Sequence, residues 1–314
     1  MNRLFVAAAF FASLSVSAFA QPETPKLRIS AIPIAGFTPI YAADKLGFFK
    51  HEGLEVTIDR AAGGAQTVPL LVQGTLQLAV TPVVSVALAN QQGFKLRVIP
   101  PALDAKRAIP GQTALIVLQD SAIKSPADLK GKRVAVNTIN SVNWLYDRAF
   151  IRRKGKIDPS EVQYVEVPFP SMVDALLRGS VDAIDVPQPF HYIALATGKV
   201  RVLGYPFAET QPGLHIAPYA GTAAWLDANP KTVKAFVTAM TRAVEHMRKN
   251  PDDARRLIAE FTGAKPELVA AIPLDDWSTA LSAADVAETL KVMKQEGMLK
   301  KELEISDMIH NVPN

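Results

Sequence analysis

The chain has 314 residues, 49% of them hydrophobic and 20% charged, and its 34 Lys and Arg against 30 Asp and Glu give a net charge of +4. That length holds two lobes of ordinary size, and the composition is that of a folded globular protein, with no basic tail to suggest nucleic acid as a partner. The absence of cysteine excludes a disulfide framework, a thiolate metal site, a cysteine nucleophile and a lipid-bearing N-terminal cysteine. The five histidines, His51, His191, His215, His246 and His310, show no HExxH or HxxxH spacing, so neither a metal nor a cofactor is expected.

Arg3 is the only charge before Glu23, and an apolar run follows it up to Ala18-Phe19-Ala20, a small-x-small cleavage signal. Residues 1–20 read as a secretory signal peptide cut after Ala20, leaving a mature chain without its one leader charge. The run is short and serine-containing for a membrane span, and no later segment is long and apolar enough to make one. A soluble, exported, freely diffusing periplasmic protein is expected, and a monomer.

A repeat organises the middle of the chain. A constant displacement of 105 residues carries Ile29 onto Val134, Tyr41 onto Tyr146, Val68 onto Val173, Gly74 onto Gly179 and Pro82 onto Pro187. The chain therefore contains one α/β unit twice. In the first copy the predicted strands are 26–32, 54–60 and 76–81, with helices starting near Thr38, Ala65 and Pro82. In the second they are 132–137, 162–167 and 181–186, with helices starting near Ser141, Ser171 and Pro187. Pro82 and Pro187 suit a first helical turn, and Gly74 and Gly179 suit the reversal of a helix into a strand. Strands alternating with helices imply mostly parallel sheets flanked by helices, with ligands outside the carboxyl ends of the strands.

The runs 112–118 and 214–219 read as strands that cross between the lobes and act as hinges. The predicted lobes are therefore 26–111 with 218–314, and 112–217. The remainder is helical. Asn229-Pro230 and Asn250-Pro251 each offer an N-cap followed by proline. Val233, Phe236, Val237, Met240, Val244 and Met247 form one apolar stripe that should pack onto the first lobe. The basic run Arg152-Arg153-Lys154-Gly155-Lys156 reads as cations at a helix C-terminus before a glycine cap rather than as a nucleic-acid patch.

The stretches Gly36-Phe37-Thr38-Pro39-Ile40-Tyr41-Ala42-Ala43, Leu46 to Val56, Ala62-Gly63-Gly64-Ala65, Ile123 to Val136 and Gly179-Ser180-Val181-Asp182-Ala183 with Pro189-Phe190 resemble the solute-binding proteins of ABC importers of the nitrate, taurine, alkanesulfonate and thiamine-precursor type. The resemblance runs from about Leu27 to Leu203. It implies a two-lobed periplasmic binding protein fold with two crossing hinge strands, a small-molecule ligand in the cleft and a membrane permease as partner. The family usually carries an aromatic residue and a glutamate before its Pro-Phe, where this chain has Pro187-Gln188.

Six loops bear the candidate ligand-binding residues. In the first lobe these are Gly36, Phe37, Thr38, Gly63, Gly64, Gln66, Thr81 and Pro82, from loops 33–39, 63–66 and 81–85. In the second they are Asn140, Ser141, Asn143, Trp144, Asp185, Gln188 and Phe190, from loops 138–144, 169–171 and 185–190. Gly63-Gly64 either lets backbone approach a ligand at a helix start or makes an ordinary tight turn. Asn140, Ser141 and Asn143 are more polar groups than one helix start needs for capping. Thr38 and Thr81 could cap or bind, and Phe37, Trp144 and Phe190 could wall an apolar ligand or pack in the core. Asp185 ends an apolar run whose repeat mate is Val80, so it must either bond a ligand donor or tie down its neighbouring loop, with the structural role ahead. His215 lies near the hinge, where a satisfied structural histidine is expected.

No Lys or Arg falls inside the six loops. An anion would lean on helix N-termini worth about 0.3–1 kcal/mol each, whereas micromolar binding needs about 8 kcal/mol, which favours an organic ligand over a bare ion. The expected function is capture of a small organic acid, an aromatic carboxylate or sulfonate, for a permease. The alternative ligand is a neutral pyrimidine thiamine precursor. An enzyme on the same architecture, of the thiamine-pyrimidine synthase or menaquinone-pathway type, is the competing class, and the synthase branch carries a cysteine-rich motif that this chain lacks. A regulator's effector domain is disfavoured because no DNA-binding segment precedes the repeat.

Overall fold

The computed structural model describes residues 21–61 and 64–312, so the expected signal peptide and Gly63 lie outside the described residues. The first copy of the repeat runs β1 (Lys26–Ala31), α1 (Thr38–Lys45), α2 (Phe48–His51), β2 (Glu55–Arg60), α3 (Gly64–Val72), β3 (Leu78–Val80), α4 (Val83–Gln91) and β4 (Leu96–Asp104). Residues 105–112 then pass to the second half. There β5 (Thr113–Leu118) is followed by β6 (Arg133–Val136), α5 (Val142–Phe150), β7 (Gln163–Glu166), α6 (Phe169–Leu177), β8 (Ala183–Pro187), α7 (Phe190–Ala196) and β9 (Val200–Gly204). Residues 205–214, containing α8 (Pro206–Thr210), return to β10 (His215–Thr222). The chain ends with α9 (Ala223–Ala228), α10 (Pro230–Lys249), α11 (Pro251–Thr262), α12 (Pro266–Ala271), β11 (Asp276–Ser278) and α13 (Ala283–Gln295).

The repeat is legible in the strand register. Ile29 pairs with Leu78, and 105 residues on Val134 pairs with Ala183, both in parallel. The second strand of the repeat is one residue out of step: Arg28 faces Thr57, but Arg133 faces Gln163. Gly74 and Gly179 both adopt φ near +70°, and their N–H groups donate to the equivalent carbonyls of Leu71 and Leu176 at 3.0 Å. A left-handed residue is what turns each helix into the next strand, and glycine takes that conformation without a Cβ penalty. Pro82 and Pro187 fall outside their helices: Pro82 precedes α4, and Pro187 still belongs to β8.

The sheets are ordered β11-β4-β10-β3-β1-β2 and β7-β6-β8-β5-β9. Each is mixed: three parallel strands from the repeat, then an antiparallel strand that directly follows a crossing, then the last strand of the repeat, with β11 added at the edge of the first sheet. The two entering strands, β10 and β5, are the ones expected to cross. Each is laddered on both sides inside the sheet it enters, so the passage itself is made by residues 105–112 and 205–214. A strand cannot satisfy its backbone groups in two sheets at once.

The amphipathic α10 lays its stripe onto α1, α2 and β4, with Val233, Phe236, Met240, Val244 and Met247 buried. Asn229 and Asn250 do not cap the helices that come after them. Each points its amide back to a carbonyl of the preceding helix, Trp225 at 2.8 Å and His246 at 2.9 Å. The basic run also departs from expectation. Residues Ile151–Gly155 form a π-helical turn, Lys156 rather than Gly155 takes the left-handed conformation, and Arg152 pairs with Glu296 just beyond α13 at 2.9 Å. Gly155 is needed for close approach, since a Cβ there would lie 2.9 Å from the Pro126 backbone. Helix α13 packs on α4 of the first half and α5 of the second, bracing them together.

Phe236 sits between the Phe49 ring, stacked at 5.8 Å, and the Tyr219 ring, edge-on at 5.1 Å. Phe236→Ala should lower the unfolding free energy by about 3–5 kcal/mol in urea titrations, whereas Val237→Ala, at a half-buried position, should cost less than about 1.5 kcal/mol.

Candidate functional site: the cleft between the two sheets

The carboxyl ends of the parallel strands of both sheets converge. Ile32, Ile34 and Phe37 follow β1, Val80 and Pro82 end β3, Asn137, Ser141 and Asn143 follow β6, and Pro187 ends β8. All of them line one narrow gap of about 40 Å³, closed further by Leu103, Thr113, Phe169, Phe207, Ile216 and Ala217. That volume holds only about three waters, so the lobes are closed upon each other. Ala35 N–H donates across the gap to the Gln188 carbonyl at 3.3 Å. Beside the gap, sharing Ile32, Ile34 and Phe169 with its lining, is a niche of about 220 Å³, walled by Pro33, Pro168, Pro170 and Phe190 and bordered by Arg60. A third hollow of about 420 Å³ lies on the other margin, between α3, α4 and Ile139-Asn140.

The predicted residues divide by placement. Phe37, Pro82, Ser141 and Asn143 line the gap, and Phe190 lines the niche, its ring 6.4 Å from that of Phe169. Asn140 takes φ +62° and faces the outer hollow. Ser141 caps α5, its Oγ accepting from Trp144 N–H at 3.2 Å while donating to Asn137 Oδ1 at 3.1 Å. Gly36 is a packing position, since a Cβ there would lie 2.4 Å from Leu103 Cδ2, and its carbonyl accepts from Trp277 Nε1. Thr38 is buried at the start of α1, its hydroxyl without a partner among the described residues. Thr81 is occupied by Thr67 Oγ1 and the Ala79 carbonyl. Gly64 begins α3, and Gln66 is exposed on it. Trp144 does not line the gap; its ring packs edge-on against Tyr164 and under the Arg148 guanidinium.

Gln188 and His191 tie the second lobe's loop to the crossing. The Gln112 carbonyl accepts from Gln188 N–H at 2.9 Å and from His191 Nδ1 at 3.1 Å, and burial holds the His191 imidazole neutral by lowering its pKa to about 4. The Gln112 side chain spans the same crossing, donating to the Asp104 carbonyl at 2.5 Å and accepting from Lys106 N–H at 3.2 Å. His215 is structural. Its Nε2 accepts from Ser282 N–H at 2.8 Å, so Nδ1 carries the proton donated to Asp104 Oδ1 at 2.6 Å.

Asp185 lies directly beneath the gap, completely buried, and its Oδ2 accepts from Asn143 Nδ2 at 2.6 Å. Next to it is Asp147, also completely buried, with neither oxygen hydrogen-bonded among the described residues. Burial pushes the Asp185 carboxyl up to about 7, with the Asn143 bond pulling back, and burial plus the Asp185 charge push Asp147 well above the carboxylate range. Asp147 escaped the sequence reading. The pointer to it was its position four residues after Asn143, inside a helix whose neighbours Leu145, Tyr146, Ala149 and Phe150 are all apolar or aromatic. Arg60 and Phe169 escaped because they lie at the edges of the strands and loops considered.

A carboxyl whose pKa is raised on folding retains a proton that the unfolded chain releases. The corresponding stabilisation is complete below about pH 4 and disappears as pH rises through the folded-state value. Asp147→Asn, neutral at every pH, should match the wild type in urea unfolding near pH 4 and exceed it at pH 8 by more than about 1.4 kcal/mol, the worth of one pKa unit. A difference that stays constant with pH contradicts a protonated Asp147.

The chain is similar to a 4-amino-5-hydroxymethyl-2-methylpyrimidine phosphate synthase of Legionella pneumophila, 27% identical over 74% of this chain and 70% of that one. It is also similar to a taurine-binding periplasmic protein of Escherichia coli, 28% identical over 65% and 61%. Among solved structures, the alkanesulfonate-binding protein from Xanthomonas axonopodis bound to MOPS superposes with a TM-score of 0.77, covering 93% of this chain and 99% of that one at 17% identity. The fold is accordingly that of the periplasmic binding proteins. Residues 34–254 match the family model described as NMT1/THI5 like, and the chain belongs to that family.

Proposed function

We propose that this chain is the substrate-binding component of an ABC importer, that it works outside the cytoplasm as its binding-protein relatives do, and that it captures a small organic acid with an aromatic or otherwise apolar body. The observation that carries this reading is the niche beside the gap. Arg60 is the one cation among its described lining residues, set against Phe169, Phe190 and three prolines. An arginine fork recognises a carboxylate or sulfonate through charge-assisted bonds, while the rings take the body of the ligand. Arg60 ends β2 beside Ala31 and is exposed, and its side chain makes no ion pair or hydrogen bond with another described residue. The lobes would open about residues 105–112 and 205–214 to admit the ligand and close to present a defined shape to a permease.

A neutral aminopyrimidine is a second reading, supported by the inner gap, whose described lining holds hydroxyl and amide groups but no charged side chain. Catalysis is the less favoured class. The buried histidines are held on a carbonyl and on Asp104, and neither is among the residues that line the gap.

A thermal-shift panel of benzoate, benzenesulfonate and an aminopyrimidine separates the readings, because a ligand at a hundred times its Kd stabilises by about 2.7 kcal/mol. The acids should raise the melting temperature, and Arg60→Gln should weaken them roughly tenfold or more without affecting the pyrimidine. A response to the pyrimidine alone reverses the order. Turnover of any bound compound moves the chain to the enzymes.

A further inference from the structure

Asn143 lines the inner gap from the first turn of α5, with Asp185 below it in the middle strand of the second sheet. An ionised carboxylate only accepts, so the 2.6 Å contact fixes the nitrogen of the Asn143 carboxamide inward. The oxygen then faces the other way. Asn143 Oδ1 has no partner among the described residues, yet it is not sealed off as the orphaned Asp185 Oδ1 and Asp147 oxygens are. It remains open to the gap that the residue lines.

Two groups face the same carboxylate, Asp147 from α5 and Tyr164 from β7, and neither makes a hydrogen bond there. Asp147 has no donor to stabilise a charge, whereas Asp185 has the Asn143 amide. A proton shared between the two carboxyls therefore settles on Asp147 and leaves Asp185 the acceptor.

We infer that Asp185 is a positioning residue that locks the Asn143 carboxamide with its oxygen toward the gap, so that the site takes an organic acid carrying an amino or hydroxyl donor at the end opposite its acid group. This rests on the reading that the cleft holds a ligand with its acid end at Arg60. The two spaces match such a molecule. The niche accommodates the body, and the adjacent 40 Å³ gap, which shares Ile32, Ile34 and Phe169 with it, accommodates a polar group of one or two heavy atoms. A site built to hydrogen-bond a substrate OH or NH discriminates against the analogue that lacks it, because its own acceptor is then left unpaired.

The first test needs no ligand and no variant: exchange of the Asn143 side-chain NH₂ with water, followed by NMR in the ligand-free mature chain. Exchange at least tenfold slower than for the exposed Gln66 amide is expected, and equal rates overturn the proposal. The second test measures calorimetric affinities for benzoate, 3- and 4-aminobenzoate and 3- and 4-hydroxybenzoate in the wild type and in Asp185→Asn, which can satisfy either amide orientation. At least one substituted acid should bind the wild type tenfold or more tightly than benzoate, and the variant should lose that preference while holding benzoate within about twofold. A preference that survives the substitution, or equal weakening of benzoate and its derivatives, overturns the positioning role. If the wild type binds none of the acids, the organic-acid reading falls, and the exchange rate alone decides the orientation of Asn143.

Discussion

Each sheet is completed by the strand that directly follows a crossing, inserted antiparallel between strands of the repeat, and this insertion is the constraint on which the rest of the structure depends. β5 enters between β8 and β9 after the first crossing, and β10 enters between β3 and β4 after the second, so the first sheet is completed only once the chain has crossed twice. The passages are short, 105–112 and 205–214, and they hold the carboxyl ends of two parallel strand triplets against each other. Gln112 secures one passage, with its side chain spanning from Asp104 to Lys106 and its carbonyl gathering the loop that carries Gln188 and His191. His215 secures the other by joining Asp104 to the start of α13. A cleft arises because the crossings are tied down while the loops they bring together remain separate.

Polarity in the cleft is layered. The outer niche carries a guanidinium over aromatic and proline surface, the inner gap carries neutral hydroxyls and amides, and beneath that lie two buried carboxyls that share little hydrogen bonding. Two such groups cannot both stay ionised in a low-dielectric interior, so the pair holds a proton and its field acts on the one amide that touches it. On the proposed reading, a ligand entering this cleft meets the Arg60 guanidinium first and the Asn143 carboxamide oxygen last.

Residues with purely local instructions were legible in the sequence. The 105-residue displacement returns as identical strand pairing at Ile29–Leu78 and Val134–Ala183, and Gly74 and Gly179 turn their helices with the same bond. The stripe of α10 is buried as its spacing requires. Where two local roles competed, the sequence could not choose between them. Asn229 and Asn250 serve the helix behind rather than the one ahead, and Gly155 is small for the sake of a neighbouring backbone rather than for its own φ. The site was half legible for the same reason. Loops after strands point to the cleft, but whether Trp144 faces the ligand or Tyr164 depends on how far α5 is rotated, and that is set by packing.

The sequence by itself determined that one α/β unit occurs twice, where the first three strands of each copy and the long C-terminal helices lie, and which loops lead from strand to helix. These come from periodicity and from backbone preferences that act within a few residues. Only the tertiary structure decided that the strand after each crossing is inserted inside a sheet, that Arg60 stands at the cleft margin, and that Asp147 and Asp185 meet beneath Asn143. Contacts between residues dozens of positions apart in the chain are fixed by which surfaces can be buried together, and no local pattern records that choice.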